Sequence, residues 1–228
     1  MLTKTRTVAE MTLREIARRR GVLLILLLMP LAFYLTRRGD HLGQSVRFVC
    51  LGLGWALSTA ALFTGTASRA LEPRLRLSGY ATRQLVLGRL LALWLLGLAV
   101  SAPYLLLIRL DEPDVRHGAV ALSMALMVAV AAPFGLAVAA LLPRDMEGTL
   151  VLLTVVGTQM TLDPADPAAR LLPFWFSREI ATYAVDGTAA DYLARGLAHG
   201  AGYGLLLLVV AAALATARLR RRPHLRFV

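Results

Sequence analysis

The residues able to do covalent or metal chemistry are few and badly placed for it. His41, His117, His199 and His224 fall at or beyond the ends of long apolar runs, and Cys50 is the only cysteine, inside one of them. Ser58, Ser101 and Ser123 lie within such runs, with no histidine at a comparable depth to act as base. There is no HExxH and no CxxC, and Asp186-Gly187 is an isolated dipeptide. A phosphate-binding loop needs a lysine after its glycine-rich turn, and the only lysine, Lys4, follows Met1-Leu2-Thr3. No catalytic residue, metal site or cofactor of its own is therefore expected. What remains is hydrogen bonding in apolar surroundings, from Ser58, Thr59, Thr64 and Thr66 on one run and Thr154, Thr158 and Gln159 on another.

The elements that carry these groups follow from composition. Of 228 residues 57% are apolar and 17% charged, and the mean hydropathy is +0.64, outside the range of soluble domains. Uncharged stretches define six candidate spans at residues 21–36, 48–67, 90–108, 118–143, 148–162 and 196–217. The fold class expected is an all-α integral membrane protein forming one transmembrane domain. The first and fifth spans, at 16 and 15 residues, reach about 24 Å and about 22 Å against a core of roughly 30 Å. Snorkelling arginines or a protein-lined cavity must supply the difference.

Charge then sets orientation. The net charge of +11 would suggest nucleic acid in a soluble protein, but its distribution suggests a bilayer instead. Residues 1–20, 68–89, 144–147 and 218–228 carry 17 basic and 5 acidic residues, and the opposite side 8 and 9. The positive-inside rule puts the first set, with both termini, in the cytoplasm. A signal peptide is the rival for the N-terminus, but Tyr34-Leu35-Thr36-Arg37-Arg38 offers no small-residue cleavage pattern. Of the 25 basic residues all but Lys4 are arginine, which fits a GC-rich genome.

Residues 1–20 place Leu2, Ala9, Leu13 and Ile16 on one helical face and Arg14, Glu15 and Arg18 on the other. That is the pattern of an interfacial helix with Arg14 and Arg18 turned to anionic headgroups, the alternative being a solvated basic leader. The external segment 163–195 contains Leu171-Leu172-Pro173-Phe174-Trp175-Phe176. It is expected to form short re-entrant or interfacial half-helices with Trp175 at headgroup depth, or else a plain surface loop. Gly196, Gly200 and Gly204 form two small-xxx-small repeats, a packing signal within or between subunits. The basic tail from Arg218 reads as a stop-transfer anchor.

The cytoplasmic segment 68–89 includes Glu72-Pro73-Arg74-Leu75-Arg76-Leu77-Ser78-Gly79-Tyr80-Ala81-Thr82-Arg83 and ends Gly88-Arg89. A short helix bearing Leu75 and Leu77 among Arg74, Arg76 and Arg83 offers apolar knobs with basic rims, suited to a groove on a soluble partner or to setting topology alone. This segment resembles the coupling loop of ABC-2 type exporter permeases. Leu75, Leu77, Gly79, Thr82-Arg83 and Gly88-Arg89 match the family positions, whereas Glu72 sits closer to the turn than the family pattern has it. The resemblance covers nearly the whole chain in architecture and mainly residues 68–92 in detail.

The resemblance implies a permease subunit that pairs with a second permease subunit and works with a separate ABC ATPase, which binds the ATP and Mg. It assigns coupling to Arg74, Leu75, Arg76, Leu77, Ser78, Gly79, Tyr80 and Arg83, and pathway lining to Ser58, Thr59, Thr64, Thr154, Thr158 and Gln159. It also implies a bacterial inner membrane. The function expected is export of an amphipathic or lipid-like substrate, with no nucleic-acid partner. The alternatives are a nontransporting membrane scaffold or immunity protein, or a secondary transporter, although no acidic residue falls within any of the six spans.

Overall fold

The computed structural model describes residues 2–37, 42–142, 144–163 and 166–220. Nine α-helices follow in order among them: α1 (Leu2–Arg18), α2 (Arg20–Leu35), α3 (Leu42–Ala67), α4 (Glu72–Leu77), α5 (Thr82–Asp111), α6 (His117–Leu141), α7 (Asp145–Thr161), α8 (Phe176–Val185) and α9 (Ala190–Arg220). Short 3-10 turns lie at Ser68–Ala70 and Pro167–Leu171. Helix accounts for 88% of the structure, and the described residues contain no strand. Part of the expected tail, 221–228, and His41 and His224 lie outside the described residues.

Among the described residues four segments are long and apolar enough to cross a membrane: Gln44–Ala70, Thr82–Asp111, His117–Leu141 and Ala190–Leu219. They mark a membrane protein. The two remaining candidates are the short ones, α2 with 16 residues and α7 with 17. α3, α5, α7 and α9 overrun the charge-defined spans at one end or both, whereas α2 and α6 keep close to them. α5 begins at Thr82, eight residues before the expected start at Leu90, because Gln84 accepts from the Ala81 N–H (2.9 Å) and closes the first turn. Much of the expected loop 68–89 is therefore helix.

α3 and α6 form the centre, with 78% and 67% of their most apolar windows buried, whereas α9 has 11% buried and lies at the periphery. Their close approach depends on Gly135, where a Cβ would run into the Ser58 carbonyl and the Ala61 methyl. α2 is tied to α5 at two levels. The Tyr34 hydroxyl donates to Asp111 at 2.5 Å, and the Tyr104 hydroxyl donates to the Leu27 carbonyl. The second bond lies next to the Leu26 carbonyl, which Pro30 cannot serve because it has no N–H.

α1 buries Val8, Ala9, Thr12 and Ile16 and lies on the start of α5, where Gly88 leaves room for Val8. At the opposite end α8 packs under α9, and the preceding Phe174 lies edge-on to Phe134 of α6. Phe174, Phe176 and Ile180 are completely buried, and Glu179 is paired with Arg195 at 3.1 Å.

Candidate functional site

The segment between α3 and α5 is built around a buried carboxylate. Glu72 opens α4 and is 2% exposed. One of its oxygens accepts from Arg89 of α5 and the other from Arg218 of α9, both at 2.5 Å. Arg89 is itself buried, so the pair is held in a low-dielectric setting where each ion depends on the other. α4, α5 and α9 are thus joined at one point. Two further arginines cap helix ends, where exposed carbonyls attract cations. Arg69 donates to Ala139 and, at 2.5 Å, to Leu142 at the end of α6. Arg76 donates to the Leu219 carbonyl at 3.1 Å in the last turn of α9.

α4 stops in a hydrogen-bonded reversal. The Gly79 N–H donates to Arg76 (2.9 Å) and the Tyr80 N–H to Leu75 (3.0 Å), with Gly79 at φ +79°, the left-handed position that glycine fills without strain. Lys4 of α1 donates to the Gly79 carbonyl at 2.8 Å and lies 5.3 Å from the centre of the Tyr80 ring. The turn is therefore held to the start of α1.

Of the residues expected to couple, Arg74, Leu77, Ser78 and Arg83 are exposed. Leu77 is 90% exposed, at the tip of a helix whose base is pinned. Leu75 is half-buried and turns the other way, into a groove beside α1. Arg76 is engaged by α9 and Gly79 and Tyr80 by Lys4. Sequence reasoning did not assign Glu72, Arg89, Arg218 or Lys4 a role here. The one signal for the hub was a lone acid among the five arginines of residues 68–89.

The polar residues within the apolar helices do not converge on one cavity among the described residues. Ser58 is buried and donates to the Ala131 carbonyl of α6 at 3.1 Å. Thr59, one position on, lines a seam between α2 and α3, and its hydroxyl has no hydrogen-bond partner. Thr64 borders a small crevice beside Arg19, while Thr66 donates to Phe63 in its own helix at 3.1 Å. Thr154 and Thr158 are exposed on α7 with Leu150. Thr154 donates to the Leu150 carbonyl at 2.8 Å. Gln159 is 1% exposed, its carbonyl accepts from Arg47 of α3 at 3.1 Å, and its buried side-chain oxygen has no partner.

The glycine repeat packs inside the chain. A Cβ on Gly196 would meet Ile180, one on Gly200 would meet Leu126, and Gly204 faces Val130. Trp175 is also interior, 5% exposed, with its ring 5.1 Å from that of His199 and 5.5 Å from the Arg170 guanidinium. Arg14 and Arg18 are exposed on α1 and border the groove that receives Leu75. Among the described residues no group of three or more His, Cys, Asp or Glu could hold a metal ion. No family model matches the chain, and no curated protein matches it.

Proposed function

We propose that this chain is the membrane subunit of an ATP-driven ABC exporter of the ABC-2 type, moving an amphipathic or lipid-like substrate outward. The observation that carries the reading is Leu77. A leucine 90% exposed among exposed arginines, at the tip of a helix anchored through Glu72 to α5 and α9, is a knob on a rigid lever. Burying such a side chain against a partner gains about 1.5–3 kcal/mol. Movement of α4 would pass directly to the two long helices that hold Glu72.

In this reading α2, α3, α5, α6, α7 and α9 each cross the membrane, α1 lies in the interface, and both termini are cytoplasmic, in keeping with the arginine distribution. The short α2, with Arg19 and Arg37 at its two ends, and α7, with Arg144 at its start, cross where those arginines thin the layer around them. The Pro167–Leu171 turn and α8 cover the outer end between α7 and α9. The exposed Leu150, Thr154 and Thr158 face of α7 turns toward a second permease subunit, and the pathway forms between the two. ATP and Mg²⁺ bind the separate ATPase, and this subunit does no chemistry itself. The bacterial inner membrane is its proposed location.

The test is to look for an ATPase in the adjacent reading frames and to reconstitute the chain with it. Leu77→Asp is expected to lower the affinity of the pair at least tenfold and to abolish transport-coupled ATP hydrolysis, leaving the thermal stability of the subunit unchanged because the side chain is almost free of contacts. Undiminished association and hydrolysis would remove the coupling role of α4 and favour a scaffold.

A further inference from the structure

Three cavities with shared walls run end to end along this chain. The first is a groove of about 500 Å³ between α1 and α4, with Arg14, Arg18 and Arg19 on its rim and Met11, Leu71 and Leu75 among its apolar wall residues. Arg19 and Glu15 also border a narrow neck of about 20 Å³, which continues along Val22, Ala60 and Phe63. Those last three residues then form part of a third space of about 100 Å³ between α2 and α3, reaching Met29 and Trp55.

Charge and length together specify what fits. The carboxylates of α1 are already engaged, Glu10 by Arg6 and Glu15 by Arg19, and the groove's inner arginine, Arg89, is taken by Glu72. Arg14 and Arg18, one turn apart on α1, have no carboxylate partner among the described residues, and two like charges at that spacing repel unless an anion lies between them. From Arg19 to Met29 along α2 is about 15 Å at 1.5 Å per residue, half of the roughly 30 Å hydrocarbon core. That is the depth of one leaflet. The lining changes over that distance from arginine and glutamate to aliphatic and aromatic.

We propose that this seam holds one anionic glycerophospholipid of the leaflet in which α1 lies, its phosphate at Arg14 and Arg18 and one acyl chain between α2 and α3. A free phosphate would leave the apolar part of the groove and the seam beyond it empty. Because Leu71 and Leu75 share the groove, the lipid wedges against the base of α4, and its presence is sensed by the same lever that Leu77 crowns. The inference rests on the interfacial placement of α1 in the reading above. It does not depend on an ATPase partner.

The full-length chain in phosphatidylcholine vesicles provides the test. Phosphatidylglycerol brominated on its acyl chain is titrated in while tryptophan fluorescence is followed, with Trp55→Phe identifying the share due to the seam. Saturable quenching at low mole fraction is expected, at least tenfold more sensitive than with brominated phosphatidylcholine. Arg14→Gln/Arg18→Gln should raise the midpoint about thirtyfold. Arg144→Gln, a change of one surface charge away from the groove, should leave it in place. Val22→Phe, which narrows the neck on the lipid-exposed helix, should abolish the Trp55 signal even with the arginines intact. Equal quenching by both lipids, an equal shift with Arg144→Gln, or displacement by glycerol 3-phosphate would overturn the proposal. Lipid binding by a chain that recruits no ATPase would leave it standing while the transport reading fell.

Discussion

Replacing Glu72 by methionine should be the most damaging single change in the arginine-rich end of the molecule. The carboxylate is 2% exposed and meets Arg89 and Arg218 at 2.5 Å each. Arg218 is 25% exposed on its side chain, so its share is that of a partly solvated pair, about 0–1 kcal/mol. Arg89 is 8% exposed on its side chain and would be left as an unpaired buried cation, a defect that costs about 3–5 kcal/mol when one partner of a buried pair is removed. For a chain of this size 1 kcal/mol moves the thermal midpoint by about 2–4 °C, so a loss of about 3 kcal/mol corresponds to about 6–12 °C. The assay is thermal unfolding of the purified subunit in mild detergent at one fixed scan rate, since membrane proteins unfold irreversibly and only like-for-like scans compare. The double variant Glu72→Met/Arg89→Met removes both ions and should recover to within about 1 kcal/mol of the parent, because an apolar pair of similar volume replaces a buried salt bridge at little cost. A drop below 2 °C for the single variant, or no recovery in the double, would refute the placement of Glu72 as a buried hub.

Gly135→Ala should force α3 and α6 apart, since the new Cβ meets the Ser58 carbonyl, a backbone atom that cannot rotate away. A loss of about 1–3 kcal/mol is expected in the same melts, from overpacking where α3 and α6 cross. Gly157→Ala on α7, where nothing lies within 4 Å of a Cβ, should be neutral or raise the midpoint slightly by the helix-propensity difference of about 1 kcal/mol. Topology is tested by cysteine labelling in a Cys50→Ser background. Arg6→Cys on α1 and Gly187→Cys after α8 should react with a membrane-impermeant maleimide from opposite sides. Labelling of both from one side would remove the proposed six crossings.

Much of the architecture was legible because hydropathy is local. A run of uncharged residues is apolar whatever it packs against, so the all-helical class and the positions of α3, α5, α6 and α9 followed from reading between charges. The basic segment 68–89 stood out for the same reason. The boundary of α5 did not, since the rule that charges end spans fails where Arg89 finds a carboxylate to pair with, and Arg83 lies on helix ahead of the expected start. The polar residues show a similar divide. Composition picked out Ser58, Thr59 and Gln159 as the unusual groups of their helices. It could not say that Ser58 turns to α6, Thr59 to α2 and the Gln159 carbonyl to Arg47.

By itself, then, the sequence determined that this is a helical membrane chain with arginine-rich connecting segments and a short leucine-bearing helix in one of them, because each of those properties is a sum over neighbours along the chain. The tertiary structure alone decided that the Gly196, Gly200 and Gly204 stripe is consumed within the chain, that Leu75 and Leu77 point to different surroundings, and that Glu72 joins α4 to α9. The Glu72–Arg218 contact spans 146 positions. A side chain's partner at that separation depends on how whole helices cross, and the pattern of residues around either end carries no record of it.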